Sequence, residues 1–314
     1  MQPQASSQST GRPSPKGRLR LRTLSGVSLR FDLQAHSIHS DGTLPAADVV
    51  ERAARAGVEL LALTDHDTVG GVSEALAAGE RLDVRVIPAT EISAIDDGGG
   101  REVHILAYAI DHLQPQLSEC LAEFLADRER RTLRMAGALR DLGWQLDERE
   151  LRTRQATGQP IGRPHLAAAV LRCPGNASRL RAESIDDSGA LIRAYLTKGR
   201  PGFRMRETPT VAQAVQASHR AGGLAVWAHP FWDLSDPAEV LQSVDRFQSL
   251  HIDGVEAFYI THTREQTRLL VEHCAARGLL TTGSADFHGP ENRLFSRFLA
   301  FDTYGLEPNL GPLG

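Results

Sequence analysis

The sequence predicts an α/β fold built on a largely parallel sheet, and three observations carry that reading. Short apolar, β-branched runs alternate with longer amphipathic patterns from Ser28 onward. Histidines and carboxylates cluster where those runs end, the rim on which parallel α/β folds build their sites. A third stretch, residues 112–209, interrupts the alternation with helical patterns alone. The chain has 314 residues, 41% hydrophobic and 24% charged, which are globular values and exclude a disordered or fibrous chain. No apolar stretch approaches the length of a membrane span.

Taken in order, the candidate strands are Ser28–Leu33, Val58–Thr64, Val84–Pro88, Val103–Ala109, Leu224–Ala228, Gly254–Ile260, Leu279–Thr282 and Arg297–Phe301. Among the helices, Ala46–Ala56 sets Ala47, Val50, Ala53 and Ala54 on one face, with Pro45 at its first turn and Gly57 ending it. Val211–Ala221 and Thr263–Arg277 read similarly. The helical stretch opens with Leu113–Leu142, followed by helices near Pro164–Arg172 and Ala190–Lys198. This organisation divides the chain into a basic tail (1–27), a core (28–111 and 210–304) and a helical insertion (112–209). The tail is rich in Gln, Ser and Pro and reads as disordered.

Charge and cysteines narrow the function classes. The net charge of −4 hides Arg12, Lys16, Arg18, Arg20, Arg22 and Arg30, which have no acid among them, so the body is more acidic than the average. An acidic body with 12 histidines suits bound cations better than bound polyanions. Cys120, Cys173 and Cys274 are odd in number and show no CxxC spacing, which points to a reducing, cytoplasmic setting without disulfides.

The chemistry sits at the strand ends. The first strand runs into Asp32-Leu33-Gln34-Ala35-His36-Ser37-Ile38-His39-Ser40-Asp41-Gly42, the second into Thr64-Asp65-His66-Asp67-Thr68. Glu91 lies just beyond the third strand and His104 inside the fourth. His229 follows the fifth, and Asp286 and His288 follow the seventh. A lone histidine is more often packed than ligating. Six clusters of imidazole and carboxylate at one rim repel one another unless cations offset the charge. Ligands of this kind without thiolate suit Mn²⁺, Fe²⁺ or Zn²⁺.

At these residues the chain resembles the PHP (polymerase and histidinol phosphatase) metallophosphoesterases. The strings DLQAHSIHSDG, LTDHDT, ATEIS, VHILAYAID, AHP and SADFHG stand in that family's order between Phe31 and Gly289. The resemblance is to the branch of nucleoside 3′,5′-bisphosphate phosphatases and RNase AM type 5′→3′ exoribonucleases. It implies a distorted seven-stranded β/α barrel with a helical insertion, and two or three divalent ions, with Mn expected first. One subsite would use His36, Glu91 and Asp286, and a second Glu91, His104 and His229. A third would use Asp41, His66 and His288, with Asp65 and Asp67 orienting His66. Where the family motif reads Asp-Leu-His-x-His, this chain has Gln34, an amide that ligates more weakly than imidazole; His39 is a candidate replacement.

Substrate contacts are expected from the insertion and the later loops. Gly162-Arg163-Pro164-His165 resembles the family's phosphate-contacting stretch, with Arg163 offering a planar donor fork at a helix start. Arg200 and Phe203 take the positions of a basic and an aromatic residue in the same branch. Arg128 and Arg131 are candidates to reach the same pocket, although a charge run on a helix is more often a solvated face. Glu256 and His262 are placed to meet a nucleoside or to support the ligands, and Phe231-Trp232 to wall the pocket. His229 or Asp286 is expected to help protonate the leaving group. The resemblance thus implies removal of the 3′-phosphate from nucleoside 3′,5′-bisphosphates such as pAp, and 5′→3′ exonuclease action on short RNA. A histidinol-phosphatase-like activity and a catalytically weak nucleic-acid-binding module are the rivals. No membrane and no obligate protein partner is expected.

Overall fold

The computed structural model describes residues 29–314; the predicted basic tail therefore lies outside the described residues. Seven strands pair in sequence order: β1 Phe31–Asp32, β2 Leu60–Leu63, β3 Arg85–Asp96, β4 Arg101–Tyr108, β5 Leu224–Trp227, β6 Gly254–Tyr259 and β7 Leu280–Ser284. Neighbours are parallel except around β4, which is antiparallel to both β3 and β5. The Leu33 amide donates to Gly283 O at 3.1 Å and the His36 amide to Phe287 O at 2.8 Å, so the chain beyond β1 meets β7 and the sheet is nearly a closed barrel.

Reversal of β4 puts its beginning, not its end, on the rim where the other strands finish. His104 therefore joins residues that follow strands, although it lies inside one: the Ala228 amide donates to His104 O at 3.0 Å, one residue before His229. Strand β3 runs eight residues past the expected end at Pro88. Pairing with β2 stops at Leu63↔Pro88, and from Ala89 the strand turns to pair with β4. Proline lacks the amide a second ladder needs, so it sits at the change of partner. Glu91 consequently lies on β3 itself.

The eighth predicted strand, Arg297–Phe301, is a turn. Leu299 takes a positive φ of 57°, and its amide donates to the Asp32 side chain at 2.8 Å instead of to a ladder. The run is apolar because it packs beside the strand ends: Phe298 stacks on Phe287 at 4.4 Å and Phe301 tilts on Phe31 at 5.5 Å.

Around the barrel lie α1 Ala46–Ala56, α2 Val72–Leu82, α3 Pro115–Asp141, α4 Arg149–Ala156, α5 Arg163–Leu171, α6 Ala177–Ala182, α7 Ser188–Leu191, α8 Val211–Arg220, α9 Pro230–Asp233, α10 Pro237–Ser249 and α11 Arg264–Ala275. Helix α1 stops where Gly57 turns left-handed at φ 80° and its amide reaches Ala53 O and Ala54 O. Helices α8 and α11 each open with a capping box, Thr210 with Gln213 and Thr263 with Gln266. Every regular element between β4 and β5 is a helix. Its own apolar cluster includes Met135, Leu139, Trp144, Leu166 and Leu191. Helix α3 belongs to both bodies, because Leu117, Leu121 and Phe124 on its first half pack into the barrel cluster instead. Among the described residues no helix is long and apolar enough to cross a membrane, and the three cysteines are free.

Candidate metal centre

The loop after β1 is folded tightly onto the rim. Asp65 accepts from the Ser37 amide (2.8 Å), the Ser37 hydroxyl (2.7 Å) and the Ser40 hydroxyl (2.5 Å). A Cβ on Gly42 would lie 2.2 Å from His36 O, so only glycine lets the loop close on itself. This arrangement presents His36 and Asp41 inward. Asp65 thus shapes the loop instead of orienting His66, as the sequence suggested. Asp67 does not orient His66 either: its carboxylate is taken by Arg128 and Arg206, each at 3.0 Å, and by the Ser93 amide.

The inward side chains converge. His36 Nε2 lies 3.1 Å from Glu91 Oε2 and 3.2 Å from Asp286 Oδ1. His66 Nδ1 lies 3.3 Å from the same Glu91 oxygen. Glu91 Oε1 faces His104 Nδ1 at 2.7 Å and His229 Nε2 at 3.3 Å. Asp41 is 3.5 Å from His288 Nε2, 3.6 Å from His36 Nδ1 and 3.7 Å from His66 Nε2. Three groups bring their ligand atoms within 4.8 Å of one another: His36, Asp41 and His288; His36, His66 and Glu91; Glu91, His104 and His229. Despite these distances His36 Nε2, His66 Nδ1, Glu91 Oε2, Asp41 Oδ1 and Asp286 Oδ1 are buried without a hydrogen-bond partner. Lone pairs aimed at common points and not at donors are what a divalent cation requires, and the donor set fits one.

Electrostatics agree. Burial acts on every member, but in His36 the Asp286 and Glu91 carboxylates outweigh it and hold the pKa well above the usual imidazole range. Burial likewise opposes ionisation of Asp41, yet the surrounding imidazoles keep its pKa well below the usual carboxylate range. His229 is raised to about 10, its burial being outweighed by Glu91 and Asp233. His66 is pushed down to about 3 by burial. Without cations, protons on some imidazoles balance the acids; metal binding displaces them. His229 and Asp286 also take positive φ, at 31° and 54°, strain of the kind that accumulates at functional sites.

Two expected ligands sit apart. Gln34 is fully buried, but its Oε1 lies 3.4 Å from the Ser284 hydroxyl, its Nε2 has no partner, and it is in none of the three groups. His39 packs its ring on the Gly70-Gly71 turn and does not replace it.

The insertion reaches the rim at several points. Arg154 donates to Ser40 O at 2.7 Å, and Arg163 lies 3.5 Å from Glu102, two residues before His104. His165 Nδ1 accepts the Gly162 amide at 3.0 Å, and burial with Arg154 nearby lowers its pKa to about 4. Arg128 and Arg131, on a charge run of the kind more often solvated, are buried instead, paired with Asp67 and Glu102. Helical periodicity does not reveal which charged face a neighbouring body will cover. Arg200 is exposed and makes no side-chain hydrogen bond or ion pair among the described residues. Phe203 lies under the Arg131 guanidinium at 5.5 Å. Glu256 has no exposed surface: it accepts from the His229 amide at 2.9 Å and the Ser284 hydroxyl at 2.6 Å. That burial makes it a support of the His229 turn, the second of the two roles the sequence offered, and not a nucleoside contact. His262 is buried behind the rim, against Ala257 O and edge-on to Phe231.

A near-closed seven-stranded β/α barrel whose rim gathers imidazoles and carboxylates around shared points is a metal-binding hydrolase scaffold. The PHP domain model matches residues 32–133. The chain is 33% identical to the phosphoribosyl 1,2-cyclic phosphate 1,2-diphosphodiesterase of Eggerthella lenta, over 84% of this chain and 95% of that one. It is 30% identical to the 3′,5′-nucleoside bisphosphate phosphatase of Chromobacterium violaceum (83% and 87%) and 28% identical to a 5′-3′ exoribonuclease of Haemophilus influenzae (84% and 92%). A crystal structure of a candidate metal-dependent phosphoesterase from Bifidobacterium adolescentis superposes with a TM-score of 0.71 at 27% identity, over 85% of this chain and 91% of that one. The chain belongs to the PHP family.

Proposed function

We propose that the protein is a metal-dependent hydrolase of phosphoric esters on ribose, acting on the 3′-phosphate of nucleoside 3′,5′-bisphosphates such as pAp. The observation that carries this is the set of buried, unpartnered ligand atoms converging on the rim, faced by cationic side chains of the insertion. Glu91, His104 and His229 would hold one ion, and the other ligands would divide as His36, His66 and Glu91 and as His36, Asp41 and His288, with Asp286 beside His36. Manganese is the proposed ion. Divalent ions held there acidify water and offset the charge that builds on a phosphate in the transition state.

The protein's own groups then bind and orient. Arg163 is the proposed phosphate clamp, since only one edge of its guanidinium is engaged by Glu102, at 3.5 Å. His165 stays neutral near pH 7; with Nδ1 accepting the Gly162 amide, its Nε2 carries the proton and can donate to the same phosphate. Arg200, exposed on the insertion, suits a longer substrate. The Tyr259 hydroxyl donates to Asp286 Oδ2 at 2.8 Å, which leaves Oδ1 toward the cluster. Asp286 and His229 are therefore the groups proposed to relay a proton toward the leaving alkoxide. The 5′ end of RNA presents the same phosphate–ribose–phosphate unit, so exonuclease action on short RNA is the companion activity. The cyclic phosphate diphosphodiesterase at 33% identity favours a second reading, a ribose cyclic phosphate as substrate. Three free cysteines suit the cytoplasm.

The test is inorganic phosphate release from pAp by Mn²⁺-loaded protein, with His66→Ala as control and a ribose 1,2-cyclic phosphate in parallel. Release that His66→Ala abolishes supports the reading. Silence on pAp from wild-type protein that retains metal refutes it.

A further inference from the structure

The pocket above the cluster is walled on one side by aromatic rings. Trp232 lies in α9, three residues after His229, and is 52% exposed, whereas Trp144 and Trp227 are buried. Its indole meets Phe295 at 5.6 Å and 62° and Tyr259 at 6.4 Å and 74°. Such steep contacts hold a ring without covering both of its faces. Both supporting rings are themselves fixed. Tyr259 donates to Asp286, and Phe295 tilts on His288 at 5.4 Å while its carbonyl accepts the His288 amide at 2.9 Å. All three rings line the same pocket as His66, His229 and His288. A half-exposed indole braced beside a polar cluster has no packing reason to be there, because it gains little by burial.

We propose that Trp232 is a stacking platform for the nucleobase, and that it makes the site select nucleosides over ribose phosphates lacking a base. The inference deepens the phosphoesterase reading and rests on it. Its pocket location separates Trp232 from Phe203, the aromatic the sequence places in the insertion: Phe203 already has the Arg131 guanidinium over it and packs into the insertion cluster. Base–aromatic stacking tolerates any base, so selection is by the presence of a π-face and not by its edge.

The experiment compares kcat/KM on adenosine 3′,5′-bisphosphate and on ribose 3,5-bisphosphate for wild type, Trp232→Ala and Trp232→Phe, alongside quenching of tryptophan fluorescence by AMP. Trp232→Ala should lose about tenfold on the nucleotide, chiefly through KM, and nothing on the base-free compound, with Trp232→Phe retaining most activity. AMP should quench wild type but not Trp232→Phe. Equal losses on both compounds, or quenching that persists in Trp232→Phe, overturns the platform. If wild type hydrolyses neither compound, the phosphoesterase reading fails, and the quenching alone decides the platform.

Discussion

Asp67 joins the insertion to the barrel through a buried network, and replacing it by Asn has a calculable cost. The Asp67 side chain is fully buried, and one oxygen accepts Arg128 from α3 and Arg206 from the segment before α8, both at 3.0 Å. Arg206 is 1% exposed and continues to Asp127 at 3.3 Å and to Phe124 O at 2.7 Å. Burial alone would raise the Asp67 pKa; the two guanidiniums outweigh it and hold the value at about 2, against an ordinary 3.8. That shift corresponds to roughly 2–3 kcal/mol. Removing one partner of a buried pair and leaving the other charge behind costs about 3–5 kcal/mol. The two routes meet near 3 kcal/mol, a fall in melting temperature of about 5 °C at this chain size. Because the folded pKa is depressed, the contribution is complete above about pH 4 and is lost as pH falls toward 2. Circular dichroism melts in excess chelator, from pH 7 down to pH 3, keep metal loss out of the comparison. A Tm for Asp67→Asn within 2 °C of wild type at pH 7, or a gap that fails to narrow on acidification, refutes the argument.

Glu91→Gln should lose most bound metal, since Glu91 alone contributes an oxygen to each of two ligand groups; elemental analysis after gel filtration reads this directly. Gln34→His should raise the metal retained per chain under the same treatment, and an unchanged content means that position faces no ion. Arg163→Ala should raise KM for the phosphate ester about ten- to a hundredfold with a smaller change in kcat, as expected for a charge-assisted phosphate contact. A fall confined to kcat would place Arg163 outside ground-state binding.

Much of the barrel was legible because its signals are local. Gly57 ends α1, and β-branched runs mark seven strands. Where the reading failed, the deciding contact was distant in sequence. Arg297–Phe301 has the apolar content of a strand, but Asp32, far along the chain, captures its Leu299 amide. Pro88 reads as a strand end until β4 supplies a second partner for the residues beyond it. Helices α2 and α10 went unassigned, their apolar positions being mostly small or interrupted by polar residues. The ligand residues were legible because strand ends collect them whatever the detailed packing. The roles of Asp65 and Asp67 were not, since a carboxylate's partner depends on which neighbour reaches it first.

Gln34 shows how this limit bears on chemistry. Ser284 has one hydroxyl proton and lies 2.6 Å from Glu256 but 3.4 Å from Gln34, so the proton belongs to Glu256. The Glu256 carboxylate in turn accepts the His229 amide at 2.9 Å. The amide at position 34 is therefore left with a poor contact on one end and none on the other, inside a fully buried shell. An unsatisfied buried amide costs on the order of 1–3 kcal/mol. Such a residue does nothing for stability where it stands. Its cost would be offset by an ion that reaches its oxygen or an acceptor that reaches its amide nitrogen, and for that reason the metal content of Gln34→His reports on the rim more directly than any change in folding.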